Sequence, residues 1–457
     1  MLRAFCARVL MCAFAAISMV SPACGLDLKS QIDPLAQPLV DQGKIVGMVI
    51  GILRDGETQV LAYGETVKGS GKNPDGRTVY EIGSATKAFT GDLLADAVLA
   101  GRMKLDDPAQ NYMPKAVTMP EVDGKPITLE HLATHTSGLP RLPDNMKFGD
   151  PMNPYADYTG KQLADFLNGH KLRRPPGEYE YSNLGMGLLG MLLARESKKP
   201  YEALLIDHIT KPIGMTDTNI KLNKSQQERL APPYDAQLRP KKNWDIPTLA
   251  GAGAVRSTAD DMLKFLKTNM AEDDKALTKS LQFAREKRHT MKDGGAIGLG
   301  WHLHGDGITW WHNGQTGGYS SWMGIVPPIK VGVVVLTNTA TDLTTQLGTE
   351  LTQVACGIPV APPAKREEFA VDAKVLESYV GNYEIVPEFV LTVTVEYGQL
   401  IVQATGQGKL PFYAQSPTKF FCKLVDAQIS FKKNKAGKVT QLILHQNGRN
   451  MPGKRQE

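Results

Sequence analysis

The sequence predicts an α+β fold in two units: an antiparallel sheet flanked by helices and interrupted by an inserted all-helical subdomain, then a small C-terminal β-barrel. Three observations predict it. Apolar, strand-like segments stand at both ends of residues 26–358, so one sheet draws on both. Between them, about 84–290 carries helical periodicity broken by Pro and Gly. Beyond a polar linker, short alternating segments follow at roughly 8–12-residue spacing, as in a small barrel or sandwich.

Each element follows in order. Residues 28–42 set Leu28, Ile32, Leu35 and Leu39 at helical spacing. Segments 46–53 and 59–63 read as strands joined by the hairpin pair Asp55-Gly56. Strands return at 298–304, 308–312, 319–326 and 331–337, and a last helix fits 341–354. The first unit thus covers 26–358, and 359–370, with Ala361-Pro362-Pro363-Ala364, is a Pro-bearing linker. In the second unit, 371–457, strands are expected at 389–395, 399–404, 420–424, 429–432 and 439–445.

Composition removes several function classes. With 457 residues, 42% of them hydrophobic, and a net charge of only +5, global disorder is excluded. No dense Lys/Arg stripe with interleaved aromatics occurs, so nucleic acid is not an expected partner. Five cysteines without a CxxC make no disulfide scaffold. Arg3 and Arg8 precede an apolar run, 9–20, that ends in Ala23-Cys24-Gly25, the pattern of a secretory signal peptide over 1–25. That run is shorter than the roughly 20 apolar residues of a membrane-spanning helix. No later segment is long and apolar enough, so no stable span is expected in the mature chain. A periplasmic or secreted location follows. Cleavage before Leu26 removes Cys6, Cys12, Cys24 and two positive charges, leaving +3. Whether Cys356 and Cys422 then pair stays open.

Three motifs carry chemistry. Ser84-Ala85-Thr86-Lys87 opens a long helical pattern, which puts a hydroxyl and an amine on one face. Burial favours the neutral amine, which can take the serine proton, and a helix N-terminus supplies N–H groups for an oxyanion. Ser416-Pro417-Thr418-Lys419 and Ser430-Phe431-Lys432-Lys433 match the same pattern, but in strand or turn surroundings. Tyr181-Ser182-Asn183 follows a Pro-Gly turn and precedes a Leu-rich helix; a phenol beside a lysine can move a proton, and Asn183 can hold a substrate amide. His312-Asn313-Gly314-Gln315 lies on a strand, where Gly314 permits close backbone approach and the Gln315 amide can join that of Ser84 in an oxyanion hole.

These motifs, in this order, resemble the penicillin-recognising serine hydrolases, in particular the class C β-lactamase-like branch with its D-alanyl-D-alanine carboxypeptidases, D-aminopeptidases and esterases. The resemblance covers about 30–356. It extends to Ile127-Thr128-Leu129-Glu130-His131-Leu132-Ala133-Thr134-His135-Thr136-Ser137-Gly138-Leu139-Pro140, to Gly251-Ala252-Gly253, and to Gly298-Leu299-Gly300-Trp301. The C-terminal unit is similar to the barrel appended to some of these enzymes. The resemblance implies a β-lactamase/transpeptidase-like fold with Ser84 as acylated nucleophile, Lys87 as its activating partner and Tyr181 as general base. It implies substrate binding by Asn183, His312, Asn313, Gly314 and Gln315, with no metal and no cofactor. Where many relatives have Lys-Thr-Gly, this chain has His312-Asn313-Gly314; a histidine is only partly charged at neutral pH, which weighs against strong β-lactam hydrolysis and C-terminal carboxylate capture.

The expected function is an exported serine hydrolase that cleaves an amide, a β-lactam or D-amino-acid peptide, through an acyl-enzyme on Ser84. Its partner is then a small-molecule or peptide substrate. The alternatives are an esterase of the same fold, or a non-catalytic protein that binds or senses peptidoglycan. No G-x-S-x-G elbow supports an α/β-hydrolase. His131 and His135, one helical turn apart, lack the Glu of H-E-x-x-H and a third ligand nearby.

Overall fold

The computed structural model describes residues 27–362, 368–423, 425, 427–446 and 449–456, so the signal-peptide assignment lies outside the described residues. The chain divides into two compact units, one ending at Ala361 and the next starting at Pro362.

In the first unit, α1 (Lys29–Asp41) leads into the hairpin β1 (Gly47–Arg54) and β2 (Glu57–Gly64). The turn residues Asp55 and Gly56 both have positive φ, as the hairpin pair requires. Two short strands follow, β3 (Tyr80–Glu81) and, much later, β4 (Arg256–Ser257), which pair with each other. Between them run α2 (Thr86–Leu99), α3 (Asn183–Ser197) and several shorter helices. After β4 come α4 (Ala259–Asn269) and α5 (Ala276–Ala284). The last third supplies β5 (His289–Thr290), β6 (Ala296–Ile297), β7 (His302–Leu303), β8 (Trp310–Gln315), β9 (Ser320–Val326), β10 (Val331–Thr337) and α6 (Leu343–Ala355).

The eight-stranded antiparallel sheet has the order β2-β1-β10-β9-β8-β7-β6-β5. Met48 opposite Thr337 and Arg54 opposite Val331 join the two ends of the unit. Every residue of β1 but Arg54 is buried, because both faces of the sheet are covered. Met48, Ile50 and Ile52 pack with Ile32 of α1 and Leu347 and Leu351 of α6. On the other face, Val49, Val334 and Leu336 join Phe89 of α2 and Leu263 of α4 in the larger core. The period of two along each strand makes that division.

Two boundaries differ from expectation. The helical stretch taken as an insertion over about 84–290 includes α4, which covers the sheet itself through Leu263 against Gly51 and Leu266 against Gly332. The strand expected over 298–304 is broken: Gly298 N donates to Trp301 O, Leu299 N to Ala284 O and Gly300 N to Ala133 O. This detour lets the Trp301 indole reach Asp92 of α2 at 3.2 Å, while the three backbone donors find other carbonyls.

The second unit is a closed antiparallel barrel of eight strands: β11 (Gly381–Val386), β12 (Phe389–Glu396), β13 (Gln399–Ala404), β14 (Lys409–Ser416), β15 (Lys419–Cys422), β16 (Ala427–Lys433), β17 (Val439–Gln446) and β18 (Arg449–Arg455). Three of these were not expected from sequence. Pro411 in β14 and Pro452 in β18 each remove a ladder donor and so disguise a strand. The aromatic rings of Tyr379, Phe420 and Phe431 pack together in the interior, with Phe431 stacked on Tyr379 at 4.0 Å. Cys356 carries a free thiol.

Candidate active site

Ser84 sits in a single 3-10 turn, Gly83–Ala85, that runs directly into α2. The turn depends on Gly83, whose φ is +50° and whose added Cβ would lie 2.7 Å from the Gln315 amide nitrogen. Gly314 on β8 is equally constrained, since a Cβ there would come within 1.9 Å of Ile82 O. These two close approaches bring the start of α2 against β8 and set the Gln315 amide beside the nucleophile turn.

The first ten residues of α2, Thr86–Ala95, are buried all round, which forces Lys87 into the interior with no exposed surface. Its Nζ lies 2.9 Å from Ser84 Oγ and 2.6 Å from Ala252 O. Burial first, and then the Arg141 charge, hold the amine well below its ordinary value of 10.5. A neutral amine has one lone pair. With an N–H held by Ala252 O, that lone pair is free to face the serine proton.

Tyr181 precedes the N-cap of α3. Ser182 Oγ accepts from Gly185 N at 2.9 Å and donates to Pro140 O at 2.7 Å, while Ser182 N donates to His135 Nδ1 at 3.2 Å. This net holds the Tyr181 hydroxyl on Ser84 and its ring 5.0 Å from Lys87 Nζ. Burial pushes the phenol up, so at neutral pH it holds its proton. Asn183 Nδ2 donates to the Tyr155 hydroxyl at 3.2 Å, and Asn183 Oδ1 is buried without a hydrogen-bond partner.

A shallow cleft opens at Ser84 and Asn183, lined also by Gln315, Tyr155, Trp244 and Ile246. The loop bearing Trp244 is held by Glu81, whose Oε1 accepts from Trp244 N at 2.9 Å and from Arg256 Nη2 at 3.2 Å.

Ser84, Lys87, Tyr181, Asn183, Gly314 and Gln315 therefore come together as expected in space. His312 and Asn313 need correction. His312 is fully buried, with its Nδ1 2.6 Å from Asn313 O; a carbonyl only accepts, so Nδ1 carries the proton. Burial first, then His302 and Lys87, hold His312 well below its ordinary value, so it is neutral and offers a substrate no charge. The Asn313 side chain points to the opposite face, where Nδ2 donates to Thr345 Oγ1 of α6 at 3.0 Å. Alternation along β8 puts Asn313 opposite His312 and Gly314.

Sequence reasoning missed a buried histidine cluster behind Tyr181. His302 lies 4.9 Å from His312 between ring centres, and His135 lies 4.4 Å from Tyr181. Burial brings His302 down to about 4 and holds His135 well below the usual range. The other member of the imagined metal pair is occupied elsewhere: His131 Nδ1 accepts from Thr128 N at 3.1 Å in a capping box. Ala252, Tyr155, Trp244 and Arg141 were missed too; only the Gly-Ala-Gly run flagged the first.

The beta-lactamase family model matches residues 32–353, most of the first unit and more than half of the chain. The chain belongs to the beta-lactamase family. It is thereby a serine hydrolase of the beta-lactamase type. This beta-lactamase-family chain is 31% identical over 351 residues to the D-alanyl-D-alanine-carboxypeptidase/endopeptidase AmpH of Escherichia coli (strain K12), covering 72% of this chain and 88% of that protein. It is 28% identical over 348 residues to a beta-lactamase of Pseudomonas fluorescens, covering 68% and 94%. A solved beta-lactamase/D-alanine carboxypeptidase from Yersinia pestis, complexed with citrate, superposes with a TM-score of 0.63 at 28% identity, over 73% of this chain and 99% of that one. A second model, described as a domain of unknown function (DUF3471), matches residues 365–455, the barrel.

Proposed function

We propose that the protein is an exported hydrolase that cleaves D-amino-acid peptides or β-lactams through an acyl-enzyme on Ser84. The observation that carries this reading is the contact of Ser84 Oγ with a fully buried Lys87 at 2.9 Å. In this reading Lys87, as the neutral amine, takes the Ser84 proton as Oγ bonds to the substrate carbonyl carbon. This differs from the expectation that Tyr181 is the general base, because burial keeps its phenol protonated. The amides of Ser84 and Gln315 stabilise the oxyanion. Tyr181 delivers a proton to the leaving amine and is reprotonated from Lys87. Water then attacks the ester carbonyl, gives its proton back along the same chain, and releases the acid and free Ser84. Asn183 holds the amide of the acyl half. Export rests on the basic and apolar pattern of residues 1–25. Among the described residues no helix is long and apolar enough to cross a membrane.

One observation favours a second reading, an esterase or amidase of the same fold. The neutral, buried His312 stands where many relatives carry a lysine, so substrates without a leaving-group carboxylate lose nothing here.

The test is incubation with a labelled penicillin and with a D-alanyl-D-alanine peptide, followed by mass spectrometry of protein and product. An adduct on the Ser84 peptide is expected with penicillin and release of D-alanine with the peptide; Ser84→Ala abolishes both. Undiminished hydrolysis in that variant would falsify the nucleophile assignment. Turnover of neutral esters alone would favour the second reading.

A further inference from the structure

A cation outside the three motifs stands beside Tyr181. Arg141 directly follows the 135–140 segment, and its guanidinium carbon lies 5.0 Å from the centre of the Tyr181 ring. Its backbone is pinned to the start of α3, where Arg141 O accepts from Leu184 N at 3.2 Å, one residue beyond Asn183. The side chain is exposed, and among the described residues it makes no ion pair and no hydrogen bond. Other cations around the site are matched. Arg256 pairs with Glu81, Lys242 with Asp150 and Arg174 with Glu180. An exposed guanidinium without an ion pair, set against the ring of Tyr181, is a ready fork for a carboxylate.

Its side of the cleft matters. The β8 flank, where a leaving-group carboxylate would meet a Lys-Thr-Gly lysine, holds a buried His312 and an Asn313 turned to Thr345. Arg141 stands instead on the flank of Asn183, whose buried Oδ1 lacks a partner and faces the acyl half of a substrate in the reading above.

We propose that Arg141 is a specificity-determining residue that selects substrates carrying a carboxylate on the acyl half, the part transferred to Ser84, and not on the leaving group. The inference rests on the acyl-enzyme reading. It points to a peptide whose acyl segment ends near an acidic side chain or a free α-carboxyl group. The guanidinium donates two parallel N–H bonds to that carboxylate while Asn183 holds the neighbouring amide.

Two pairs of chromogenic or phenolic esters test it with the full chain. In the first, mono-4-nitrophenyl adipate is compared with 4-nitrophenyl adipamate, so only the acyl half differs in charge. In the second, the acetyl ester of 4-hydroxybenzoic acid is compared with that of 4-hydroxybenzamide, so only the leaving group differs. The readout is the ratio of kcat/KM for acid over amide within each pair, in wild type, Arg141→Gln and Arg141→Lys. The expected result is an acyl-pair ratio about 10- to 100-fold lower in Arg141→Gln, partly kept in Arg141→Lys, with the leaving-group ratio unmoved. Equal losses on acid and amide would make Arg141 only a support for the Tyr181 ring and overturn the proposal. A change confined to the leaving-group pair overturns the acyl-half assignment. Ser84→Ala, run alongside, separates the two levels. If both esters turn over without Ser84, the acyl-enzyme reading fails and this inference with it. An unchanged Arg141→Gln ratio with Ser84→Ala inactive overturns the Arg141 assignment alone.

Discussion

Lys87 Nζ is held 2.6 Å from Ala252 O, a contact that joins the first helix of the site to a turn 165 residues further along the chain. The carbonyl does two things at once. It satisfies a donor that is buried with no carboxylate beside it, and it orients the amine so that its remaining valence faces Ser84. A carbonyl dipole stabilises an ammonium far less than a carboxylate does, so the amine stays easy to deprotonate.

Replacing Lys87 tests that arrangement. Lys87→Met is expected to lower kcat/KM by about 10²–10⁴-fold, the usual worth of a positioned proton acceptor. Lys87→Arg should fare no better, because a guanidinium does not give up its proton. In wild type the neutral amine is the active form and its folded value is depressed. Activity is therefore full above that value and falls as pH drops through it, with the limb well below 10.5. The pH profile of kcat/KM for a non-ionising ester checks this; a limb near 10.5 sinks the assignment.

Acid sensitivity should come from the histidines behind Tyr181. His302 has a folded value of about 4 against an ordinary 6.5, so the unfolded chain takes the proton first. Its stabilisation is complete above about pH 6.5 and lost as pH falls toward 4, and the gap is worth roughly 3 kcal/mol. His135 and His312 shift in the same direction. Thermal melting between pH 7 and 4 is expected to fall more steeply for the wild-type protein than for His302→Gln. Equal slopes would mean that His302 is already charged in the fold.

Glu81 anchors the cleft wall through Trp244 N and Arg256. Glu81→Ala leaves the Arg256 guanidinium, 11% exposed, without its buried carboxylate. Breaking such a pair costs on the order of 3 kcal/mol, and the Trp244 loop should loosen with it. Urea denaturation reads the stability and KM reads the loop. A loss under about 1 kcal/mol would show that Asp245 and the carbonyls of Ile220 and Trp244 suffice for Arg256.

Much of the site was legible because it is local. Ser84 and Lys87 are three apart across the turn that leads into α2, and Tyr181 and Asn183 flank one N-cap; such spacings are written in the chain. The motif reading grouped Asn313 with His312 and Gly314, whereas the period of two along β8 turns its side chain to the opposite face, onto Thr345. Only the Gly-Ala-Gly run hinted at Ala252, and Arg141 and His302 were not legible, since each reaches the site from a distant segment and no local rule marks it. The break at 298–301 escaped for the same reason: Trp301 leaves the ladder to meet Asp92, a partner 209 residues away. β14 and β18 escaped because Pro411 and Pro452 resemble breakers until a closed barrel accommodates them.

By itself, the sequence determined the two-unit order, the strands that period two makes amphipathic or doubly buried, and the nucleophile's place at the head of a helix. Tertiary structure alone decided protonation and polarity. Desolvation and distant dipoles, which act through space and not along the chain, make Lys87 an amine, keep Tyr181 a phenol and silence His312, while Arg141 stays exposed beside the Tyr181 ring.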